Sequence, residues 1–458
     1  MPTSDPDGAD VAALIARHDA NVPRYTSYPT AAQFTPAVGP ATWTGWMAEA
    51  PLDRPVSLYV HLPFCKRLCW YCGCNTRAVN RAQTISDYVE LLAKEAAMVA
   101  NVAGRRLGIG SLHLGGGTPN MLSPADLDRL FGALGQAFDM GAVDQIAAEL
   151  DPAVLTRDWV RAAARHGLNR ASLGVQDLSP QVQQAVNRIE PFVVIEQATG
   201  WLREAGVGSV NLDLMYGLPR QGVDQVLATL EQILTLRPER IALFGYAHVP
   251  WMKPHQKLIN EAELPGAEAR FEQSRAASDR LVAAGYQAIG LDHFALPDDP
   301  LAVAAREGRM RRNFQGYVVD EAPVLIGLGA SSIGQTPGGY VQNITVERDW
   351  REAVSEGRLP IARGVALSDE DRFRGELIER LMCDFAVDLD AVCARHGRTP
   401  SDLAEALARL APVQADGLLV HEGARIRMTE AGKPFVRVAC AAFDTTLRPS
   451  AARHARAV

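Results

Sequence analysis

The chain has 458 residues, 47 % of them hydrophobic and 22 % charged, which suits one large catalytic domain with a smaller companion. Forty-six basic against 53 acidic residues give a net charge of -7, so no overall basic field argues for a nucleic-acid partner. No run of 18 apolar residues suggests a membrane span, and the first residues lack the basic and apolar regions of a secretory signal, so no membrane partner and a cytoplasmic, reducing location are expected.

The first fifty residues stand apart from the rest of the chain and contain PRYTSYPT at 23–30, rich in aromatics and turn formers. Short apolar runs then recur: VSLYVHLPF from Val56, SLHLGG from Ser111, QIAAEL from Gln145, RASLGVQ from Arg170, SVNLDLMYG from Ser209 and RIALFGYA from Arg240. YQAIGLDHFA from Tyr286 is a weaker seventh. Amphipathic helices separate them. Ser123-Pro124 and Ser179-Pro180 each place a capping hydroxyl before a proline, Thr156 is a third N-cap, and Gly167 ends the helix after it.

Strands alternating with helices over about six units predict parallel strands joined by right-handed crossovers. The fold class expected is α/β, a partial (β/α)6 TIM-like barrel, with its site at the carboxyl ends of the strands. The barrel should span 51–295, after an N-terminal extension over 1–50. A connecting segment over 296–365 should complete it. A smaller, mainly helical, winged-helix-like domain over 366–445 should end in the hairpin GLLVHEG/ARIRMTEAG, before a flexible tail over 446–458.

Of seven cysteines, four crowd together in HLPFCKRLCWYCGCN: Cys65, Cys69, Cys72 and Cys74. The other three, Cys383, Cys393 and Cys440, are scattered, so a disulfide framework is not indicated. Thiolates spaced C-x3-C-x2-C suit zinc or an iron–sulfur cluster. Structural zinc usually shows two C-x2-C pairs, or cysteines plus distant histidines; here there is no second cysteine pair, and no H-x3-H pair accompanies the cysteines. Three thiolates on a four-iron cluster leave one iron open. Cys74 either closes that position or faces the substrate. His61, His113 and His293 read as packed or hydrogen-bonded rather than metal ligands.

With Tyr71 just before the third cysteine, the spacing resembles the radical S-adenosylmethionine superfamily. PRYTSYPT, Cys74 in CGCN, YAHVPWMKPHQ from Tyr246, GLDHFALPDD from Gly290 and RNFQGY from Arg312 together resemble the oxygen-independent coproporphyrinogen III oxidase family over residues 23–443. That resemblance implies a [4Fe-4S] cluster on Cys65, Cys69 and Cys72, with S-adenosylmethionine chelated to the open iron and cleaved to a carbon radical. It implies that Tyr59, Tyr71, Gly116, Glu149 and Ile333 contact one S-adenosylmethionine. Gly117, Thr118, Gln176, Arg188, Asp213 and Ala247 would contact a second. Two cofactor molecules suit a substrate changed at two places.

The substrate implied is coproporphyrinogen III, whose propionates call for cations. Arg24 and Arg312 are the candidates, with His248, and Cys74 joins the two arginines as a candidate catalytic residue. For either arginine a structural salt bridge is as good a reading. Tyr25, Trp251, Phe314 and Tyr317 could cover the macrocycle, and the N-terminal extension would contribute to that site. An external electron donor, an electron acceptor and a monomeric state are also expected. The rival readings are a heme-binding chaperone or a radical methyltransferase on the same barrel. Read from its residues alone, GGGTP at 115–119 is a tight strand-to-helix turn whose bare N–H groups could meet a ligand. Glu149 alone reads as a surface or capping residue.

Overall fold

The computed structural model describes residues 11–447. Its centre is a twelve-stranded sheet. Six strands carry the repeat: β1 (Val56–Leu62), β2 (Ile109–Gly116), β3 (Gln145–Leu150), β4 (Arg170–Gln176), β5 (Ser209–Tyr216) and β6 (Arg240–Gly245). They pair in sequence order and all parallel. Their apolar residues pack against the surrounding helices in one large core that includes Leu58, Leu112, Leu173, Leu212 and Ile241. That core is why each strand reads as a nearly continuous apolar run.

The weaker seventh candidate is two strands, β7 (Gln287–Ile289) and β8 (His293–Ala295), which pair antiparallel with each other. A turn at Gly290, with φ +53, divides them. On the other edge, β9 (Leu325–Leu328) pairs parallel with β1, and β10 (Ile333–Thr336), β11 (Gly339–Asn343) and β12 (Ile361–Ala366) follow as an antiparallel meander. The barrel is therefore open and is extended at both edges.

The helix starts bear out two of three expectations. Ser123 closes a capping box with Asp126, and the Thr156 hydroxyl accepts the Trp159 N–H. The Ser179 side chain makes no cap bond to the short helix Pro180–Ala185. Gly167 does end its helix with φ +89.

The two ends of the barrel differ. At the amino ends, the Ser57 and Ser111 hydroxyls both bond Asp320, and Arg240 makes a buried ion pair with Asp299 at 2.7 Å. These contacts close the base. The carboxyl ends stay open and carry the cysteine loop.

The C-terminal unit packs helices Asp369–Asp384, Leu389–Arg395, Ala404–Ala415 and Val436–Phe443 around a separate core, with a three-stranded sheet that contains the anticipated hairpin, Leu419–Glu422 against Arg425–Met428. The N-terminal stretch does not behave as one piece. Leu14, Ile15, Val22, Tyr25 and Tyr28 lie in this C-terminal core, whereas Trp43 and Met47 of helix Pro40–Glu49 lie in the barrel core. The tail proposed over 446–458 lies almost wholly outside the described residues. No described helix is long and apolar enough to cross a membrane.

Candidate active site

The cysteine loop leaves β1 and is held through its backbone carbonyls by side chains outside it. His61 donates to the Asn75 carbonyl at 2.9 Å, His255 to the Cys72 carbonyl at 2.7 Å and Gln256 to the Tyr71 carbonyl at 2.9 Å. Lys253 reaches the Cys74 carbonyl at 2.9 Å, and Asn187 that of Leu68 at 3.1 Å. With its carbonyls occupied, the loop is fixed before any ligand arrives.

Its thiols meet hydrogen-bond donors. Thr118 donates to Cys65 Sγ at 3.4 Å, Arg188 to Cys69 Sγ at 3.5 Å, and the Cys74 N–H to Cys72 Sγ at 3.4 Å. Thr76 Oγ1 lies 3.1 Å from Cys65 Sγ. Burial raises the Cys65 thiol, and the two threonines oppose that rise. Hydrogen bonding from Cys74 brings the Cys72 thiol down to about 7, and the Cys74 thiol rises in turn. Cys69 is buried and Cys74 exposed.

This donor set fits a cluster held by Cys65, Cys69 and Cys72, because hydrogen bonds to sulfur stabilise thiolates and tune iron–sulfur centres. Among the described residues no three His, Cys, Asp or Glu side chains are arranged to hold a single ion. A four-iron cluster makes no such demand, since each thiolate takes its own iron.

The strand opposite completes the mouth. The register sets Leu62 beside Gly116 and Tyr59 beside His113. Gly116 has φ +104, and a Cβ there would lie 2.3 Å from the His61 ring. A Cβ on Gly117 would lie 2.7 Å from the Leu62 and Phe64 carbonyls. These glycines let the two strands touch. Their N–H groups are not bare, contrary to the sequence-based expectation. Gly116 N–H goes to Glu149 at 3.0 Å, Gly117 N–H to Leu62 at 2.9 Å and Thr118 N–H to Phe64 at 2.8 Å. The short connection between cluster loop and glycine turn consumes them.

Glu149 ends β3 and is more than a capping residue. It accepts from His113 at 3.1 Å as well as from Gly116. Burial pushes its carboxyl up, but these donors outweigh burial and hold it below the usual range. Tyr59 OH lies 3.1 Å from His61 Nδ1 and its ring stacks on His113. Burial keeps His61 neutral, so its Nδ1 accepts while its Nε2 donates. Asp213 on β5 accepts from Ser172 and Asn211, each at 2.7 Å, and burial pushes its carboxyl up to about 6. Gln176 ends β4 with φ +70, at a register shift. Arg188 donates to the Gly174 carbonyl at 2.6 Å and lies 3.1 Å from Glu190 and 3.4 Å from Asp151. Glu190 and Asp151 went unnoticed in the sequence, where nothing but nearness to Arg188 marks Glu190. The Ala247 carbonyl accepts from Gln256 at 3.3 Å. Ile333 opens β10, across the sheet from the glycine strand.

Beside this mouth lies a cleft of about 1760 Å³ between β6–β8, helix Ala267–Ala283 and the C-terminal unit. Arg24, Ala247, His248, Trp251, Asp292 and Arg312 line it. Neither arginine makes an ion pair within 4.0 Å among the described residues. Arg24 donates to the Gly245 carbonyl at 2.8 Å, and Arg312 to the Arg24 carbonyl at 3.4 Å. Arg312 Nε and Nη1 are buried without a partner, and its guanidinium lies 4.3 Å over the Tyr317 ring. His248 is engaged by the Tyr246 hydroxyl at 2.8 Å and by Glu261 at 2.9 Å. Two of the aromatic residues expected over a macrocycle are placed elsewhere. Tyr25 is buried in the C-terminal core, with its hydroxyl on Asp444, and Tyr317 lies beneath Arg312. Trp251 does face the cleft, and Phe314 packs edge-on against Tyr340.

Residues 59–233 match the model of the radical SAM superfamily, and residues 367–435 match that of the HemN C-terminal domain. The oxygen-independent coproporphyrinogen III oxidase of Bradyrhizobium diazoefficiens is 45 % identical over 98 % of this chain and the whole of its own length. The chain belongs to the oxygen-independent coproporphyrinogen III oxidase family. The relative from Salmonella typhimurium is 38 % identical over 96 % of both chains. Among solved structures, the coproporphyrinogen III oxidase HemN of Escherichia coli, described as a radical SAM enzyme, superposes with a TM-score of 0.89. It is 37 % identical over 95 % of this chain and 99 % of its own. Family membership makes this chain a radical SAM enzyme and carries the need for S-adenosylmethionine and a [4Fe-4S] cluster.

Proposed function

We propose that the chain converts two propionate side chains of coproporphyrinogen III into vinyl groups, giving protoporphyrinogen IX for heme synthesis without oxygen. The observation that carries this reading is a wide, arginine-lined cleft tied to the cysteine loop through Gln256, whose amide donates both to the Ala247 carbonyl on the cleft wall and to the Tyr71 carbonyl on the loop. When bound, the reduced cluster and S-adenosylmethionine supply a hydrogen-abstracting radical. Each propionate then loses one hydrogen atom, one electron and CO2.

The residues around the mouth have distinct tasks in this reading. Cys65, Cys69 and Cys72 hold the cluster. Tyr59, Tyr71, Gly116, Glu149 and Ile333 seat one S-adenosylmethionine, with Glu149 kept anionic for its ammonium or ribose. Gly117, Thr118, Gln176, Arg188, Asp213 and Ala247 seat a second. Arg312 pairs with a propionate, since a buried unpartnered guanidinium gains most from a carboxylate, and the more exposed Arg24 beside it takes another. Cys74, exposed beside Cys72, faces the substrate. The enzyme takes electrons from an external donor, passes the substrate electron to a separate acceptor, and works as a cytoplasmic monomer.

The test is anaerobic reconstitution followed by addition of reductant, S-adenosylmethionine and coproporphyrinogen III. Two vinyl groups with two 5′-deoxyadenosines per substrate are expected. Cofactor cleavage without vinyl formation would overturn the assignment.

A further inference from the structure

The turn between β7 and β8 presents Asp292 to the cleft on a rigid mount. Its carbonyl accepts the Leu243 N–H at 2.8 Å, and the neighbouring Leu291 N–H bonds the Tyr317 hydroxyl at 3.0 Å. A Cβ on Gly290 would meet the Tyr317 ring at 2.1 Å, so the turn closes tightly onto that ring. The same ring supports the Arg312 guanidinium. One aromatic side chain thus sets the positions of an acid and a base on the same wall.

The acid and the base do not neutralise each other by direct contact. Asp292 Oδ1 accepts from His293 Nδ1 at 2.7 Å, and its second oxygen has no hydrogen-bond donor among the described residues. Neither Arg312 nor Arg24 comes within 4.0 Å of it in an ion pair. They are close enough to act through space. Burial would raise the Asp292 carboxyl, but His293, then Arg312 and Arg24, hold it at about 2. The result is a fixed anion with spare acceptor capacity, flanked by cations, in a cleft wide enough for a macrocycle.

A reduced tetrapyrrole has this complement of groups. Its saturated bridges let the ring pucker, so four pyrrole N–H donors converge on one point while carboxylates project from the rim. Its oxidised counterpart is flat, with two inner N–H groups. We propose that the Asp292 carboxylate anchors the ring of the substrate by accepting its pyrrole N–H groups, while Arg312 and Arg24 beside it take carboxylates on the rim. Asp292 thereby selects the reduced macrocycle over the oxidised one. The inference rests on the substrate class proposed above.

The test uses reconstituted enzyme without reductant, so that nothing turns over. Anaerobic equilibrium dialysis gives the dissociation constants of coproporphyrinogen III and of coproporphyrin III, which carries the same carboxylates. The native enzyme should prefer the porphyrinogen. Asp292→Asn should weaken porphyrinogen binding by about 10- to 100-fold, the range for hydrogen bonds to a charged group. Porphyrin binding should change less than about threefold. Asp292→Glu, which keeps the charge, should recover part of the preference, and thermal unfolding checks that both variants fold. Equal losses for both ligands, or none, would overturn the inference and reduce Asp292 to a support for the arginines. Failure of the native enzyme to bind either ligand would instead overturn the proposed function.

Discussion

The barrel mouth and the neighbouring cleft are built in opposite ways. At the mouth, the backbone is already engaged: cysteine-loop carbonyls by His61, His255, Gln256 and Lys253, and the N–H groups of Gly116, Gly117 and Thr118 by Glu149, Leu62 and Phe64. In the cleft, Arg312 keeps buried nitrogens unpartnered, and Asp292 stands apart from both flanking arginines. A satisfied wall holds a cofactor in one pose before it arrives. An unsatisfied wall is paid for by the ligand that completes it, which is how polar sites discriminate among ligands.

The sharpest break in that contrast is at the mouth. Cys69→Ala should abolish cluster assembly and activity together, read as loss of broad visible absorption after anaerobic reconstitution. Retention of a full cluster would refute the ligand assignment. In the cleft, Arg312→Ala should weaken coproporphyrinogen binding by some hundreds-fold, the scale of about 3–5 kcal/mol for a buried unpaired carboxylate, while iron content stays unchanged. A loss under about tenfold would reject the clamp.

The framework behind both regions has its own signature. Glu95 on helix Ala82–Ala103 accepts the Gly329 N–H at 2.8 Å and the Asn343 amide at 2.6 Å, tying that helix to the end of β9. Burial pushes its carboxyl from 4.5 up to about 7. A raised carboxyl stabilises the folded state below its unfolded value, and that contribution disappears as pH rises through about 7. Denaturant titrations of the native chain and Glu95→Gln should therefore move relative to each other by about 3 kcal/mol between about pH 4 and pH 8, in favour of the variant at high pH. Parallel curves would show that Glu95 does not titrate in this range. The smallest effect is expected at Ser123→Ala, which removes one N-cap that does not line the cleft. It should cost about 1 kcal/mol of stability, and the KM for substrate should not move.

What could be read in the chain follows the same division. Four of the six barrel strands end within a residue of their apolar runs, because a strand covered on both faces writes its burial in consecutive residues. The cofactor side was legible for a related reason: Cys65, Cys69 and Cys72 lie on one loop, and Gly116 and Gly117 on one turn. The split between β7 and β8 was hidden, since Ile289, Leu291 and Phe294 continue an apolar run across the turn at Gly290. The cleft was only half visible. Arg24 and Arg312 stood out by resemblance to the family, but their distance from any carboxylate depends on segments nearly 290 residues apart. Tyr25 and Tyr317 looked like ring-stacking surfaces because their aromatic character is local, whereas their burial is decided by partners such as Asp444 and Arg312.

The placement of Leu14, Ile15, Val22, Tyr25 and Tyr28 among the C-terminal helices also sets a schedule for biosynthesis. These residues leave the ribosome long before their packing partners, which lie between Phe373 and Phe443. The barrel repeats can condense as they emerge, whereas the unit that walls the cleft must wait for both ends of the chain to meet. The cleft beside the cluster loop therefore stays unwalled on that side until the C-terminal helices have been made.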